Sequence, residues 1–69
     1  MSVAKVIELI AESSESWEDA AQAAVQQASK SVRNIQHLYV SEMQALVENN
    51  KIVTYRLNAK VTFVIQEGD

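Results

Sequence analysis

The sequence IVTYRLNAKVTFVIQ, residues 52–66, alternates apolar and polar side chains more regularly than any other part of the chain. Successive side chains of a β-strand point to opposite faces, so this period of two predicts a long strand with one buried face. From Val53 onward, Val64 is the one apolar residue at an even position of the alternation. The predicted buried residues are the apolar ones at odd positions: Val53, Tyr55, Leu57, Ala59, Val61, Phe63 and Ile65.

A second strand comes before this one, because residues 35–47 (IQHLYVSEMQALV) alternate in a similar way. The apolar positions change phase inside this segment, from the even positions Leu38 and Val40 to odd positions from Met43 onward. A shift of one residue within a continuous strand is typical of a β-bulge, which we place at Ser41–Glu42.

The segment Glu48-Asn49-Asn50-Lys51 joins these two strands. Asparagine tolerates a positive φ angle better than other residues except glycine, so two adjacent asparagines favour a tight turn. The two long strands are therefore predicted to form a β-hairpin.

The first half of the chain predicts a strand and then a helix. Residues 3–12 (VAKVIELIAE) are rich in Val and Ile, and both of their alternating faces are largely apolar, which favours a strand covered on both sides. Apolar residues at helical spacing begin at Trp17 and continue to about Val32. Ser16 is the predicted N-cap of this helix, and Asp19, three positions later, forms an approximate capping box.

Charge and side-chain size along this helix agree with a helix lying on a sheet. Glu18 and Asp19 fall in the first turn, while Lys30 and Arg33 come at the end, as the helix dipole favours. Small residues let a helix approach a sheet closely. The predicted apolar stripe consists mostly of alanine: Trp17, Ala20, Ala21, Ala24, Val25, Ala28 and Val32.

The predicted order is therefore β-α-β-β, an α+β fold in which a three-stranded antiparallel sheet packs on one helix in a single domain, 1–69. Glu67-Gly68-Asp69 is predicted to be a frayed tail. A chain of 69 residues without Cys lies near the lower size limit for a domain that folds alone. The sheet face without a helix is thus expected to meet other copies. Its predicted residues are Val6, Ile10, His37, Tyr39, Arg56 and Asn58.

The composition excludes several classes of function. Without Cys there are no disulfides or thiolate ligands, and one His excludes a His-rich metal site and a nucleophile–base set, so no catalytic residues are predicted. The six Lys and Arg residues are scattered and the net charge is −3, which argues against a nucleic-acid partner. No apolar run approaches the ~18 residues of a membrane span, and the apolar N-terminal patch has no cleavage site after it. We expect a cytoplasmic protein.

The architecture and several local motifs resemble the dodecins, small flavin-binding proteins that assemble into a hollow dodecamer. No single motif is diagnostic, but the set occurs in order over nearly the whole chain. The motifs are Lys5-Val6-Ile7-Glu8-Leu9, Ser16-Trp17-Glu18-Asp19-Ala20, Val32-Arg33-Asn34-Ile35, Val47-Glu48-Asn49-Asn50-Lys51 and the segment from Tyr55 to Phe63.

The resemblance also implies where a flavin would bind. In flavin-binding dodecins a Trp of the second strand stacks on the isoalloxazine ring, and the matching position here is His37, with Gln36 beside it. A Gln of the third strand hydrogen-bonds the flavin edge, and here that position is Arg56. Some members carry an Arg near a flavin phosphate, where this chain has Gln44. Three family ligand positions are thus substituted.

The resemblance implies a homododecameric shell that binds and stores flavin, as riboflavin or flavin mononucleotide (FMN), or a related heterocycle. The substitutions predict that flavin binding is weakened or lost. An indole offers more stacking area than an imidazole, and Arg donates hydrogen bonds but accepts none. The alternative is a shell without flavin that holds ions or anions or serves a partner. Structural interpretations stay open as well. His37 is then an exposed strand residue or one packed at a subunit contact, and Arg56 forms a cross-strand or intersubunit ion pair, with Glu42 and Glu48 as candidate partners.

The remaining candidates have simpler structural interpretations. Trp17 is predicted to anchor the core rather than to stack on a ligand. A cationic group near the helix end is a possible phosphate contact by resemblance: Lys5, Lys30 and Arg33. Three nearby carboxylates are explained by helix capping, and no metal site is predicted from them: Glu15, Glu18 and Asp19.

Overall fold

Three strands and one helix make up the fold in the computed structural model, which describes residues 3–66. Strand β1 spans Val3–Ser13, helix α1 Trp17–Ala28, strand β2 Ile35–Glu48 and strand β3 Lys51–Gln66. All strand pairs are antiparallel, and the sheet order is β1-β3-β2. The predicted α+β fold and β-α-β-β order are confirmed, while the predicted tail, residues 67–69, lies outside the described residues.

Strand β3 is the centre of the sheet and carries most of the core. Leu57, Ala59, Val61 and Phe63 are buried, as their alternation predicts. The prediction is wrong at both ends of the strand, because Val53 and Ile65 are 37% and 56% exposed. A 12-residue helix is about 18 Å long, whereas a 16-residue strand is about 53 Å long, so α1 covers only the middle of β3.

Helix α1 ends at Ala28, four residues before the predicted end at Val32. The backbone just after α1 makes hydrogen bonds to carbonyls three residues back instead of four. The Lys30 amide donates to the Gln27 carbonyl (3.2 Å) and the Ser31 amide to the Ala28 carbonyl (2.9 Å). No basic residue lies in the last helical turn, so the predicted dipole compensation by Lys30 and Arg33 is wrong. Three alanines pack the helix against the sheet: Ala20, Ala24 and Ala28.

The start of α1 depends on two serines. Ser16 is the N-cap, as predicted, and its Oγ accepts a hydrogen bond from the Asp19 amide at 2.9 Å. Asp19 does not complete the predicted capping box, because its carboxylate accepts from the Ser13 hydroxyl at 2.7 Å. The same Ser13 Oγ accepts from the amides of Glu15 (2.8 Å) and Ser16 (3.4 Å). Ser13 therefore fixes the turn that leads from β1 into α1.

The β2–β3 hairpin has the predicted turn and the predicted bulge. Asn49 and Asn50 have φ angles of 52° and 64°, the left-handed conformation that a two-residue hairpin turn requires. The pairing register shifts between Val40 and Glu42, which leaves Ser41 as the extra residue of the bulge. Two further shifts were not predicted, one at Gln36 and one where β2 passes from Leu46 to Val47. The hairpin continues past the helix, and the molecule is 56 Å in its longest dimension.

Within residues 3–66, no helix is long and apolar enough to cross a membrane.

Candidate functional site

The sheet face turned away from α1, here called the outer face, carries the predicted ligand positions. The register aligns one residue from each strand in a row across the sheet, and we call each row a rung. The four rungs, written from β1 through β3 to β2, are Val6–Thr62–His37, Glu8–Lys60–Tyr39, Ile10–Asn58–Glu42 and Glu12–Arg56–Gln44. The outer face therefore has the composition that the sequence predicts.

Arg56 forms an ion pair across the sheet. Its Nε donates to Glu12 Oε2 at 2.6 Å, and the two side chains are 35% and 45% exposed. The expected cross-strand ion pair is present, but the suggested partners, Glu42 and Glu48, are wrong. Glu12 lies directly opposite Arg56 on β1, whereas Glu42 lies opposite Asn58 and Glu48 opposite Lys51 at the turn. Solvent screens this pair, so it contributes at most about 1 kcal/mol to stability.

Gln44 lies on the same rung as Arg56, and a tryptophan holds its backbone. The indole Nε1 of Trp17 donates to the Gln44 carbonyl at 3.0 Å. The Trp17 ring also packs edge-to-face on Tyr55, with ring centroids 4.9 Å apart and an interplanar angle of 75°. These contacts join α1 to the hairpin, in agreement with the interpretation of Trp17 as an anchor. They also fix the segment of β2 that presents Gln44.

His37 lies at the opposite end of the outer face from Arg56. It is exposed and pairs with Thr62, six residues along β3 from Arg56, which places the two rungs about 20 Å apart. Gln36 is the extra residue of a bulge, and its amide Nε2 donates to the Asn34 carbonyl at 3.2 Å. One chain therefore brings Gln44 and Arg56 together but keeps His37 and Gln36 apart from them.

The predicted phosphate contacts lie near the end of the fold that carries His37, away from Arg56. Lys5 lies opposite Phe63 in the β1–β3 ladder, and Arg33 lines a shallow groove that Phe63 also lines. Lys30 is exposed in the turn after α1. Among residues 3–66 none of the three forms an ion pair. Their role as a phosphate site stays a prediction.

The acidic residues of one chain lie apart from one another within residues 3–66. Across the described part of the chain, no three His, Cys, Asp or Glu side chains lie close enough to hold one ion. Glu15 and Glu18 are exposed, and Oδ2 of Asp19 accepts a hydrogen bond from the Ser13 hydroxyl.

The geometry defines a small α+β protein with one open sheet face, and comparison with known proteins identifies its family. The Dodecin family model matches residues 3–66. The calcium dodecin of Mycobacterium tuberculosis is 44% identical over 63 residues, which are 91% of this chain and 89% of that protein. The chain belongs to the dodecin family. Dodecins are binding and storage proteins.

Solved structures agree with this assignment. An arginine-to-alanine variant of Thermus thermophilus dodecin matches with a TM-score of 0.90 and 30% identity, covering 97% of this chain and 100% of that one. The crystal structure of the Mycobacterium tuberculosis protein, described as a calcium-chelating antigen with a novel calcium-binding site, matches with a TM-score of 0.80. It is 39% identical, and the match covers 97% of this chain and 96% of that one.

Proposed function

We propose that this dodecin is a self-assembling binding protein. Copies meet through the outer face, form a hollow homo-oligomer of twelve subunits, and hold a small planar ligand between them. The observation that carries this proposal is the apolar exposure of the outer face in one chain. Val6, Ile10 and Tyr39 are 53%, 65% and 62% exposed, and apolar surface of this kind on a small domain favours association.

The positions of the ligand residues favour a site made by two copies. Arg56 and His37 are about 20 Å apart in one chain, farther than a three-ring heterocycle reaches. A two-fold axis near the middle rungs of the outer face would bring His37 of one copy toward Arg56 of the other. Such an interface is self-complementary, as in most homo-oligomers. The ligand site would then exist only in the assembly.

The same residues argue that flavin affinity is low. The imidazole of His37 covers less of a three-ring system than an indole does. Arg56 offers only donors, whereas the flavin edge presents both donors and acceptors. Binding flavin there would also place a donor group of the ring against the guanidinium that Glu12 holds. We therefore expect weak flavin binding or none.

Two measurements on the purified protein test the proposal. Sedimentation velocity should give one species near twelve subunits, and a monomer would overturn the proposal. Titration of riboflavin and FMN, followed by quenching of flavin fluorescence, should show no saturation at micromolar concentrations. The double variant His37→Trp, Arg56→Gln should gain flavin affinity by at least tenfold. Micromolar quenching by the unmodified protein would contradict the loss of flavin binding, and no gain in the variant would contradict the site.

A second candidate is a shell that binds divalent cations. It is supported by the 44% identical relative, which is named calcium dodecin, and by the excess of nine Asp and Glu over six Lys and Arg. Twelve copies at −3 each carry −36, a field that concentrates cations. The ligands would come from several copies, because the described residues of one chain hold no three-carboxylate group.

Calorimetric titration separates the two candidates. Protein stripped with EGTA should take up Ca²⁺ at a fixed ratio per subunit if the cation function holds, with Mg²⁺ as the comparison ion. A colourless protein that binds Ca²⁺ stoichiometrically would favour this second candidate. A protein that takes up no Ca²⁺ but binds a planar ligand would favour the first.

A further inference from the structure

We propose that Arg56, held at its Nε by Glu12, makes the outer-face site selective for a planar ring that carries a carboxylate. The inference rests on the proposed function, because it assumes that a ligand binds on this face. It concerns which ligand the site prefers, and it goes beyond the loss of flavin affinity.

The hydrogen bonding of Arg56 leaves part of its guanidinium free. The Nε hydrogen is donated to Glu12, at 2.6 Å, and this is the one hydrogen bond of the guanidinium within residues 3–66. Both Nη groups, with four N–H donors, have no partner in that part of the chain. Two Nη donors of one guanidinium match the two oxygens of a carboxylate in a bidentate pair.

Glu12 acts here as a positioning residue. A free arginine side chain must lose rotamer freedom when a ligand binds it, whereas a guanidinium already held at its Nε loses less. The ion pair spans the two strands β1 and β3, whose backbones are fixed by the ladder between them. The fork of Nη donors is therefore presented from a rigid sheet.

The neighbouring residues suit a ring attached to the carboxylate. Gln44, on the same rung, has no side-chain hydrogen bond among the described residues, so its amide is free to donate and to accept. Ile10 lies one rung away, about 7 Å along the sheet, and is 65% exposed. It offers apolar surface to a flat ring. Carboxylates flank the site on both edge strands, Glu12 on β1 and Glu42 on β2, so an anion is favoured only where the free Nη groups of Arg56 meet it.

The experiment compares two probes of the same shape and different charge. Quinoline-2-carboxylate is the anionic probe, and quinoline-2-carboxamide is its neutral counterpart. Titration calorimetry of the assembled protein at low salt should show the carboxylate binding at least tenfold more tightly. In Arg56→Gln the ratio of the two affinities should fall to about one. Arg56→Lys keeps the charge but loses the fork, and most of the preference should be lost with it.

The control variant is Lys60→Gln. Lys60 is a cation on the same strand and the same face, two rungs from Arg56. The carboxylate preference should be unchanged in this variant if the fork of Arg56 recognises the probe. An equal loss in Lys60→Gln and Arg56→Gln would overturn the proposal, because the effect would then be one of overall charge. Equal binding of the two probes by the unmodified protein would also overturn it.

Sedimentation velocity on each variant distinguishes this failure from that of the proposed function. A shell that assembles, binds flavin weakly and does not distinguish the probes leaves the proposed function intact and rejects the carboxylate preference. A protein that stays monomeric rejects the proposed function itself.

Discussion

Ser13 is the one buried polar side chain among residues 3–65, at 8% exposure, and it makes three hydrogen bonds. Ser13→Ala removes the acceptor of the Glu15 and Ser16 amides and the donor to Asp19. We expect a loss of about 1–2 kcal/mol in the free energy of unfolding. Urea denaturation at a fixed subunit concentration measures it. Ser14→Ala, at the exposed neighbour, should stay within about 0.5 kcal/mol, and equal losses in both variants would contradict the role of Ser13.

The Trp17 indole gives a second prediction for single residues. Trp17→Phe keeps an aromatic ring against Tyr55 but leaves the Gln44 carbonyl without its donor. The loss in the free energy of unfolding should be about 1 kcal/mol. Tyr55→Phe is the matched control, since the Tyr55 hydroxyl has no hydrogen bond among the described residues. Tyr55→Phe keeps the ring and removes only the hydroxyl, so a loss as large as that of Trp17→Phe would contradict the role of the Trp17–Gln44 hydrogen bond.

Single residues also show what the sequence can and cannot predict about the site. Ser16 is found as the N-cap because capping is decided by local sequence. The partner of Arg56 is not found, because alternation gives the face of a residue but not the order of strands in the sheet. Glu12 becomes the partner only because β3 lies between β1 and β2. The distance between His37 and Arg56 is likewise set by the pairing register.

Among the elements, the hairpin turn gives the clearest prediction. Asn50 has a φ angle of 64°, where an L-residue with a Cβ is strained and glycine is not. Asn50→Ala should lower the free energy of unfolding by about 1 kcal/mol, while Asn50→Gly should leave it unchanged or raise it. Thermal unfolding followed by circular dichroism compares the two. The Asn50→Gly variant should be at least as stable as the unmodified protein, and the Asn50→Ala variant should be the least stable. Equal stability of the two variants would contradict a left-handed turn.

Element boundaries are predicted less well than the elements themselves. The strand pattern of β3 gives the buried residues correctly where α1 lies over them, from Leu57 to Phe63. It fails at Val53 and Ile65, because an alternating pattern does not state how long the covering helix is. The end of α1 is also predicted wrongly, because the spacing of apolar residues does not state where a helix ends. Val32 continues the helical spacing of apolar residues, but the helix ends at Ala28, and the amides of Lys30 and Ser31 bond three residues back instead of four.

For the whole molecule, assembly is the property to test. Ile10→Lys places a charge on the exposed apolar part of the outer face, where burial between copies would desolvate it. We expect the sedimentation coefficient to fall toward that of smaller species. Gln26→Lys adds the same charge on the exposed side of α1 and should assemble normally. Circular dichroism shows whether both variants fold. An Ile10→Lys variant of full size would contradict assembly through this face.

The central position of β3 has a consequence for how the chain folds. Both edge strands pair only with β3, and β3 is the last strand to leave the ribosome. The β2–β3 hairpin closes through a two-residue turn and is a fast, local event, whereas β1 must find partners more than forty residues away, as far as Val3 from Gln66. Until the hairpin has formed, β1 and α1 have no sheet to pack on. We expect hairpin formation to come first and docking of β1 to limit the folding rate, a sequence of events that pulse-labelled hydrogen exchange resolves.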